Sequence, residues 1–556
     1  MTNKPAEYDY IIVGSGSAGS VLANRLSEDP NIKVLVLEAG PKDHSIFSRM
    51  PAAFSEPLKS NRLNWAFYTE PEPTMNNRKM YCPRGRILGG SGSVNGMVYI
   101  RGHALDYDRW ASYGLNGWDY KYCLPYFKRV QNHEYGANEY RGGDGLQHVD
   151  AGKQPNPLFK AWIEAGQQAG YSYTEDANGY QQEGIGPFDR TTKNGYRDSS
   201  ARAFLHPALK RPNLEVRTKV LVNKVLLEGN IATGVELSCC NKLEKIRATR
   251  EVILCGGAIN SPMLLQHSGI GSADFLKSLD IPVVVDLPGV GENLQDHLEI
   301  YVQYRCTQPI SLYPAVRWYG RIKVGLEWIL FKTGPGATNH FEAGGFIRSR
   351  PGIKHPNLQF HFLPIAMNYD GTMPAGGHGF QAHVGPMRPT SRGYVRIRNK
   401  DPRTPPSILF NYMGTENDRQ EMREAVRLTR DIIKQKAFEP YRGEELAPGL
   451  SVVSDEDVDA FIRERGESAY HPSCSCKMGI IASDRMAVVD KDAKVYGVER
   501  LRVVDTSIMP DLVSGNTDAP TIMMADKLSD AILGKSPLLP SDAKIWIHPE
   551  WKTKQR

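Results

Sequence analysis

The sequence predicts an α/β protein in which a parallel-sheet domain carries an inserted α+β domain built on an antiparallel sheet. Three observations predict this fold. A strand, a glycine-rich turn, a helix and a second strand follow one another within residues 8–37. A similar passage from strand through glycine to helix recurs at residues 252–266. Between residues 308 and 459, strand-like and helix-like segments instead alternate as in an antiparallel sheet with helices packed on one side.

The amino-terminal unit has the hydrophobic pattern of a buried βαβ unit. Residues 8–13 and 34–37 are short apolar runs, as expected for strands covered on both faces, and residues 20–26 begin the helix between them. The turn after the first strand consists of Gly14, Ser15, Gly16, Ser17, Ala18 and Gly19.

This turn predicts a dinucleotide-binding site of the Rossmann type. Gly14 permits the tight turn, Gly16 lets the backbone approach a pyrophosphate, and Gly19 allows the helix to pack closely on the strand. The pyrophosphate then lies at the helix N-terminus, where unpaired N–H groups favour an anion. Glu38 follows about 20 residues after the last glycine, the spacing of the acidic residue that binds the ribose. The turn alone does not separate NAD from FAD.

Two distant segments are expected to complete the nucleotide-binding domain. One is the strand 252–255 with its helix 260–266, and the other is a strand at 501–504, ending in Asp505, with a helix from about 520 to 533. The predicted nucleotide domain comprises residues 1–160, 195–307 and 460–535. The substrate domain comprises 161–194 and 308–459, with strands at 358–362, 379–384 and 393–397 and a helix at 419–435. Residues 536–556 are predicted to form a surface tail.

Composition limits the classes of function. The 68 lysines and arginines outnumber the 62 aspartates and glutamates by only six, which gives a net charge of +6. The sequence contains no long run of like charges, so nucleic-acid binding is not expected. Apolar runs are strand-sized and the N-terminus lacks the apolar core of a signal peptide. Eight cysteines are too sparse for a disulfide framework. We therefore expect a cytoplasmic protein with reduced thiols.

A second glycine-rich segment, residues 85–96, exposes enough backbone to lie along an extended cofactor. Together with residues 256–262, 268–271 and 289–297, it resembles the glucose–methanol–choline (GMC) family of flavin oxidoreductases, especially members that oxidise choline. The resemblance covers nearly the whole chain. It implies the GMC fold and FAD, with contacts from Gly90, Ser91, Asn95, Gly96, Val220 and Asp505. Val94 stands where some relatives carry a histidine that tethers the flavin, so we expect non-covalent FAD.

Alcohol oxidation needs a base for the hydroxyl proton, and histidine suits this role near neutral pH. His471 precedes a proline in a glycine- and cysteine-containing loop and matches the catalytic histidine of the family. The second member of the family's pair is an asparagine or histidine, which we align with Asp518. A nearby carboxylate would raise the pKa of His471. His471, Cys474 and Cys476 could supply three metal ligands, but no fourth is evident and we expect no metal.

A quaternary ammonium is held by aromatic faces and a carboxylate, because it donates no ordinary hydrogen bond. Glu342 lies in an apolar, glycine-rich segment and matches the family position that contacts this group; His361 matches a second active-site histidine. Trp65 and Tyr470 are the aromatic residues that we expect in the cage. Structural alternatives are a salt bridge for Glu342, a core position for His361, and ordinary packing for the two aromatic rings.

The leading functional hypothesis is oxidation of choline to betaine aldehyde, and further to glycine betaine. The resemblance implies osmoprotectant synthesis, electron transfer to a respiratory acceptor, and peripheral association with the inner face of the cell membrane. One alternative is another primary alcohol, aliphatic or aromatic, as the substrate. Another is a catalytically silent flavoprotein that binds a partner or senses redox state. Whether oxygen or a quinone accepts the electrons stays open.

Overall fold

The computed structural model describes residues 7–240, 242–368, 371–374 and 376–556. Within these ranges, a mixed seven-stranded sheet forms the nucleotide side of the protein. Glu7–Val13 lies at its centre and pairs in parallel with Val34–Glu38 on one side and Lys242–Leu254 on the other. The remaining strands are Leu214–Thr218, Leu221–Glu228, Ile231–Cys239 and Leu501–Val503. The predicted βαβ unit and the two distant segments therefore meet in one sheet.

Helices cover this mixed sheet. Ser17–Leu26 follows the glycine-rich turn and packs against Asp518–Ile532, a contact between opposite ends of the chain. Gly257–His267 follows the long strand Lys242–Leu254. The other long helices that the structure describes are Ala104–Ser112, Tyr120–Val130, Pro157–Gln168, Trp318–Phe331, Glu416–Ile433 and Asp455–Arg465. Among the described residues, no helix combines the length and the apolar composition needed to cross a bilayer.

A second, antiparallel sheet also contains seven strands of the described chain. Its central members are Leu298–Cys306, Gly379–Pro386, Leu358–Leu363 and Ala343–Ile347, and the outer ones are Gly184–Pro187, Arg442–Ala447 and Glu467–Ser468. Every residue of Leu358–Leu363 and Ala343–Ile347 is buried, because helices and the nucleotide side cover the two faces.

Two details differ from the sequence-based expectation. Leu298–Cys306 and Glu467–Ser468 pair in the antiparallel sheet, although the predicted boundaries at 307 and 460 assigned them to the nucleotide domain. Tyr394–Arg396, predicted as a strand of that sheet, pairs separately with Ser407–Leu409. Hydrophobic pattern identifies a strand but not its hydrogen-bonded neighbour. The tail 536–556 lies on the surface, where the Trp546 amide donates to the Tyr180 carbonyl over 2.8 Å.

Candidate active site

A central cavity of about 630 Å³ lies between the two sheets. Most of the residues predicted for the cofactor and the substrate line it. They are Gly14, Gly16, Ser17, Ala18, Glu38, Trp65, Gly90, Ser91, Asn95, Gly96, Val220, His361, Tyr470, His471, Asp505 and Asp518. Ser15, Gly19 and Glu342 are not among the described residues that line it.

The glycine-rich turn has the geometry that a pyrophosphate requires. Gly16 is the N-cap of Ser17–Leu26 and supplies no side-chain cap, so the first N–H groups of this helix face the cavity without a competing acceptor from that position. A Cβ at Gly90 would lie 2.8 Å from Gly16 Cα, which shows how closely the two glycine loops approach. A Cβ at Gly19 would lie 2.0 Å from the Gly14 carbonyl oxygen, so Gly19 serves helix packing as predicted.

Glu38 marks the adenosine end of the cavity. Its Oε2 accepts hydrogen bonds from Ser15 Oγ at 2.7 Å and Ser15 N at 3.1 Å, and its Oε1 accepts one from Gly40 N at 2.7 Å. Burial raises the pKa of this carboxyl, against the lowering effect of these donors. Val220 lies beside it, with its N–H donating to the Glu38 carbonyl at 3.0 Å. Carboxylate oxygens have further lone pairs for a ribose hydroxyl, so the site fits a dinucleotide.

Asp505 joins two of the distant segments. Its Oδ2 accepts hydrogen bonds from Gly257 N at 2.8 Å and from Ser261 Oγ at 2.6 Å. The strand Leu501–Val503 thus holds the start of Gly257–His267 at the edge of the cavity. This contact explains why an aspartate stands two residues after that strand.

His471 forms a hydrogen-bonded chain at the other end of the cavity. Its Nε2 lies 3.2 Å from Asn516 Nδ2, and its Nδ1 lies 2.9 Å from His297 Nδ1. His297 Nε2 lies 3.0 Å from the Met387 carbonyl, which can only accept. With both histidines neutral, His297 therefore carries its proton on Nε2, and His471 donates from Nδ1. Nε2 of His471 is then the unprotonated nitrogen, and its one lone pair accepts from Asn516 Nδ2 at the cavity.

The surroundings keep His471 uncharged. Burial, and then the neighbouring His297, His361 and Arg84, hold the pKa of His471 well below its usual range. His297 is similar, since burial lowers its pKa to about 4. Asp296 fixes the backbone, because its Oδ1 accepts from the His471 N–H over 2.7 Å. The arrangement supplies an unprotonated imidazole at neutral pH.

Asn516 occupies the position beside His471 that the sequence analysis gave to Asp518. Asp518 instead accepts a hydrogen bond from Ser17 Oγ at the start of the nucleotide-side helix. Burial raises the pKa of Asp518, and the Ser17 bond and the Arg197 charge oppose this shift. The assignment of Asp518 as the partner of His471 is therefore wrong. Asn516 lies in the loop before the helix Asp518–Ile532, whereas Asp518 is the first residue of that helix, so the two side chains leave the backbone in different directions.

Glu342 lies outside the cavity and is paired within the protein. Its oxygens accept from Lys153 N at 2.9 Å and Gln154 N at 2.6 Å, and Arg190 lies 3.3 Å away as an ion pair. The salt-bridge alternative therefore describes Glu342, and its assignment to the ammonium is wrong. Beside His361 and His383, at the other end of the cavity from Glu38, the lining glutamate is Glu299, which was not among the residues expected from the sequence.

Glu299 lies among the predicted substrate residues. Its Oε1 accepts from His383 Nδ1 at 3.1 Å. Phe341 stands with its ring edge-on to both His361 and His383, at centroid distances of 5.8 and 6.1 Å. Trp65 and Tyr470 line the same cavity. Burial lowers the pKa of His361 to about 4, so His361 is also neutral.

Sequence signals for the two overlooked residues existed. Asn516 stands in the same loop as Asp518, two positions earlier, and Glu299 follows the 289–297 motif by two residues. The sequence does not distinguish them from Asp518 and Glu342. The structure does, because Asn516 contacts His471 and Glu299 lines the cavity.

A dinucleotide-binding sheet, joined to an antiparallel sheet across a cavity with a neutral histidine base, defines a dinucleotide-dependent oxidoreductase. Family models agree, since residues 8–299 match the N-terminal and residues 389–525 the C-terminal model of the GMC oxidoreductases. The chain belongs to the GMC oxidoreductase family, and the prediction of FAD as its cofactor is confirmed.

Several characterised proteins are similar over most of the chain. An oxygen-dependent choline dehydrogenase of Burkholderia multivorans is 57% identical over 537 residues, covering 96% of this chain and 94% of the relative. One of Pseudomonas fluorescens is 56% identical over 548 residues, covering 97% and 96%. The crystal structure of pyridoxine 4-oxidase from Mesorbium loti is 30% identical with a TM-score of 0.86, covering 95% of this chain and all of that one.

Proposed function

We propose that the protein oxidises choline to betaine aldehyde. The observation that carries this proposal is the Glu299 carboxylate in the same cavity as His471, with Trp65, Tyr470 and Phe341 also in the cavity lining. A carboxylate among aromatic rings suits a quaternary ammonium, which is attracted by both. The names of the similar choline dehydrogenases support the same substrate.

The chain's own residues bind and orient the alcohol. Bound FAD supplies the acceptor for the hydride of the alcohol carbon. His471 Nε2 takes the hydroxyl proton once the alcohol replaces Asn516 as the donor to its lone pair, while His297 holds the proton on Nδ1. Asn516 Nδ2 has a second hydrogen beyond the one directed at His471, and donates it to the substrate oxygen. Gln359 Nε2 donates to Asn516 Oδ1 over 3.1 Å and so fixes the amide orientation.

The same groups serve a second oxidation. Hydrated betaine aldehyde again presents a hydroxyl on the carbon to be oxidised and keeps the trimethylammonium group. Glu299 and the aromatic walls would hold that group, and His471 would take the second hydroxyl proton. Glycine betaine is then the final product.

The proposal extends to the electron acceptor and its location. Both named relatives are described as oxygen-dependent, whereas the sequence resemblance implied a respiratory acceptor. We propose that the protein associates peripherally with the inner face of the cell membrane, which brings the reduced cofactor close to such an acceptor. Exposed apolar side chains on the substrate side support this association.

Anaerobic reduction of the FAD-loaded protein tests the substrate. Choline should bleach the flavin absorbance, and 3,3-dimethylbutan-1-ol, which lacks only the charge, should require a much higher concentration. Equal response to the two alcohols would favour another primary alcohol as the substrate. No bleaching by either, with the flavin still reducible by dithionite, would favour the catalytically silent alternative. Oxygen and a soluble quinone, supplied separately after bleaching, compare the two acceptors by the rate of colour return.

A further inference from the structure

The helix Trp318–Phe331 presents an unusual surface to solvent. Apolar side chains are commonly exposed singly, but contiguous exposed apolar patches mark contact surfaces. Here Trp318 is 72% exposed and Leu330 67%, and the other exposed apolar residues of the same face are Tyr319, Ile322, Leu326 and Ile329. We propose that this helix is a docking surface for an anionic lipid bilayer, on which it lies parallel to the membrane plane.

The exposed residues form one continuous stripe. At about 100° per residue, the six positions fall within an arc of roughly 120° on the helix surface. The opposite side faces the protein, where Gly320 and Trp328 are buried. Trp328 Nε1 donates to the Gly195 carbonyl over 2.7 Å, which fixes the rotation of the helix. The stripe is therefore held outward by the fold.

Positive charges flank the stripe on both sides. Lys323 falls next to the Leu330 edge and Arg321 beyond the Trp318 edge, and Arg317 precedes the helix. The ammonium of Lys332, at the helix end, instead donates to the Trp328 carbonyl. Glu327, the one acidic residue in this segment, lies toward the protein side. Cations beside an apolar face, with aromatic rings at one end, are the features of an interfacial helix that binds anionic headgroups. This charge complementarity favours a lipid surface over a second protein.

The helix is too short to cross a bilayer, and its length suits a position on the bilayer surface. Its 14 residues span about 21 Å, less than the roughly 30 Å of a hydrocarbon core. The segment that follows leads to the cavity: Gly336 packs beside Trp328 and Met50, and Phe341 then lines the cavity, with Phe54 at a centroid distance of 5.6 Å. The docking surface is thus connected to a wall of the active site by a short segment.

This inference deepens the membrane association proposed above, on which it rests, and it is independent of the substrate. Its test is cosedimentation of the FAD-loaded protein with vesicles of phosphatidylcholine, with and without 30% phosphatidylglycerol. Wild type should bind the anionic vesicles, and less at high salt. The double variant Ile322→Glu/Leu326→Glu should bind at least tenfold more weakly. Leu243→Glu, which changes an even more exposed leucine on a distant strand, is the control and should bind like wild type.

Basic-residue variants separate charge from apolar insertion. Lys323→Gln and Arg321→Gln should each weaken binding to anionic vesicles by about fivefold, and should not change binding to neutral ones. Flavin absorbance and choline oxidation in solution should be unchanged in all variants, which confirms folding and keeps this test apart from the substrate proposal. Binding that persists in the double variant would overturn the assignment of this helix. Absence of binding by wild type would overturn the membrane association as well, and a change in molecular mass on size exclusion would identify a second copy of the chain as the occupant.

Discussion

Asn516 Nδ2 lies 3.2 Å from His471 Nε2, and this contact places an amide donor and a neutral base at one point of the cavity. Asp518, two residues later at the start of a helix, contacts Ser17 on the nucleotide side instead. The pair that acts on the alcohol is therefore His471 with Asn516, and each member can be tested separately.

Replacing either member should reduce oxidation without displacing the cofactor. His471→Ala should lower kcat/KM for choline by about 10²-fold or more, the usual effect of losing a positioned base. Asn516→Ala should cost about 10²-fold, because one donor to the developing negative charge is lost. Steady-state kinetics on protein of known flavin content measures both. Asp518→Asn is the comparison variant, and an effect of Asp518→Asn as large as that of Asn516→Ala would contradict the corrected assignment.

The two buried glutamates should differ in what they recognise. Glu299→Gln should weaken apparent choline affinity by about 1–3 kcal/mol, and affinity for 3,3-dimethylbutan-1-ol far less, since only choline carries the charge. Glu342→Gln should leave the ratio between the two substrates unchanged. It should instead lower the free energy of unfolding by about 1–3 kcal/mol, because buried Arg190 loses its charged partner. A changed substrate ratio in Glu342→Gln would restore the sequence-based assignment.

Activity should persist to acidic pH. A base works only when unprotonated, so kcat/KM falls as the pH drops through its pKa. Burial holds the pKa of His471 well below its usual range, and this places the fall below pH 6.5. A carboxylate of Asp518 beside His471, as expected from the sequence, would instead raise the pKa of His471. A pH profile of kcat/KM with choline distinguishes the two cases. If the midpoint of the fall in kcat/KM lies above pH 6.5, and Asp518→Asn moves it to lower pH, then Asp518 is the neighbour that controls the pKa of His471.

Stability should decline as the pH falls toward 4. Burial lowers the pKa of His297, His355 and His361 to about 4 in the folded protein. In the unfolded chain these groups bind protons near pH 6.5, so below that pH the unfolded state binds more protons. The stability present above pH 6.5 is then lost by about 1.4 kcal/mol per pH unit for each histidine. Urea unfolding at pH 7 and pH 5 measures this change, and equal midpoints would contradict a net uptake of protons on unfolding.

The flavin should be released by acid. Val94 lines the cavity in the glycine-rich loop where some relatives carry a tethering histidine, and a valine side chain offers no nucleophile for a covalent bond. Precipitation of the yellow protein with acid should therefore leave FAD in the supernatant, identified by chromatography. Flavin that stays with the pellet would mean that another residue forms the bond.

Local chemistry explains why the nucleotide side was predictable. A tight turn, a close approach to phosphate and an acidic ribose ligand each require a particular residue at a particular spacing. The sequence predicts Gly14, Gly16 and Glu38 for these roles, and all three line the cavity. The residues in the catalytic half were harder to predict. Asn516 and Asp518 are both polar, half-buried and two positions apart, and nothing in the sequence indicates which one contacts His471.

Sequence alone predicted the two-sheet architecture and the dinucleotide turn, because both follow from hydrophobic period and from backbone requirements within short segments. It also indicated His471 as the candidate base, from its loop and its match to the family's histidine. Only the tertiary structure decided that Asn516 is the partner of that base and that Glu299 rather than Glu342 lines the cavity. It also decided the sheet to which Leu298–Cys306 belongs. The sequence around a buried glutamate looks the same whether the carboxylate pairs with an arginine or lines a cavity. Arg190 lies 152 positions before Glu342 in the chain (342 − 190), and only the folding of distant strands brings the two charges together and leaves Glu299 facing the cavity.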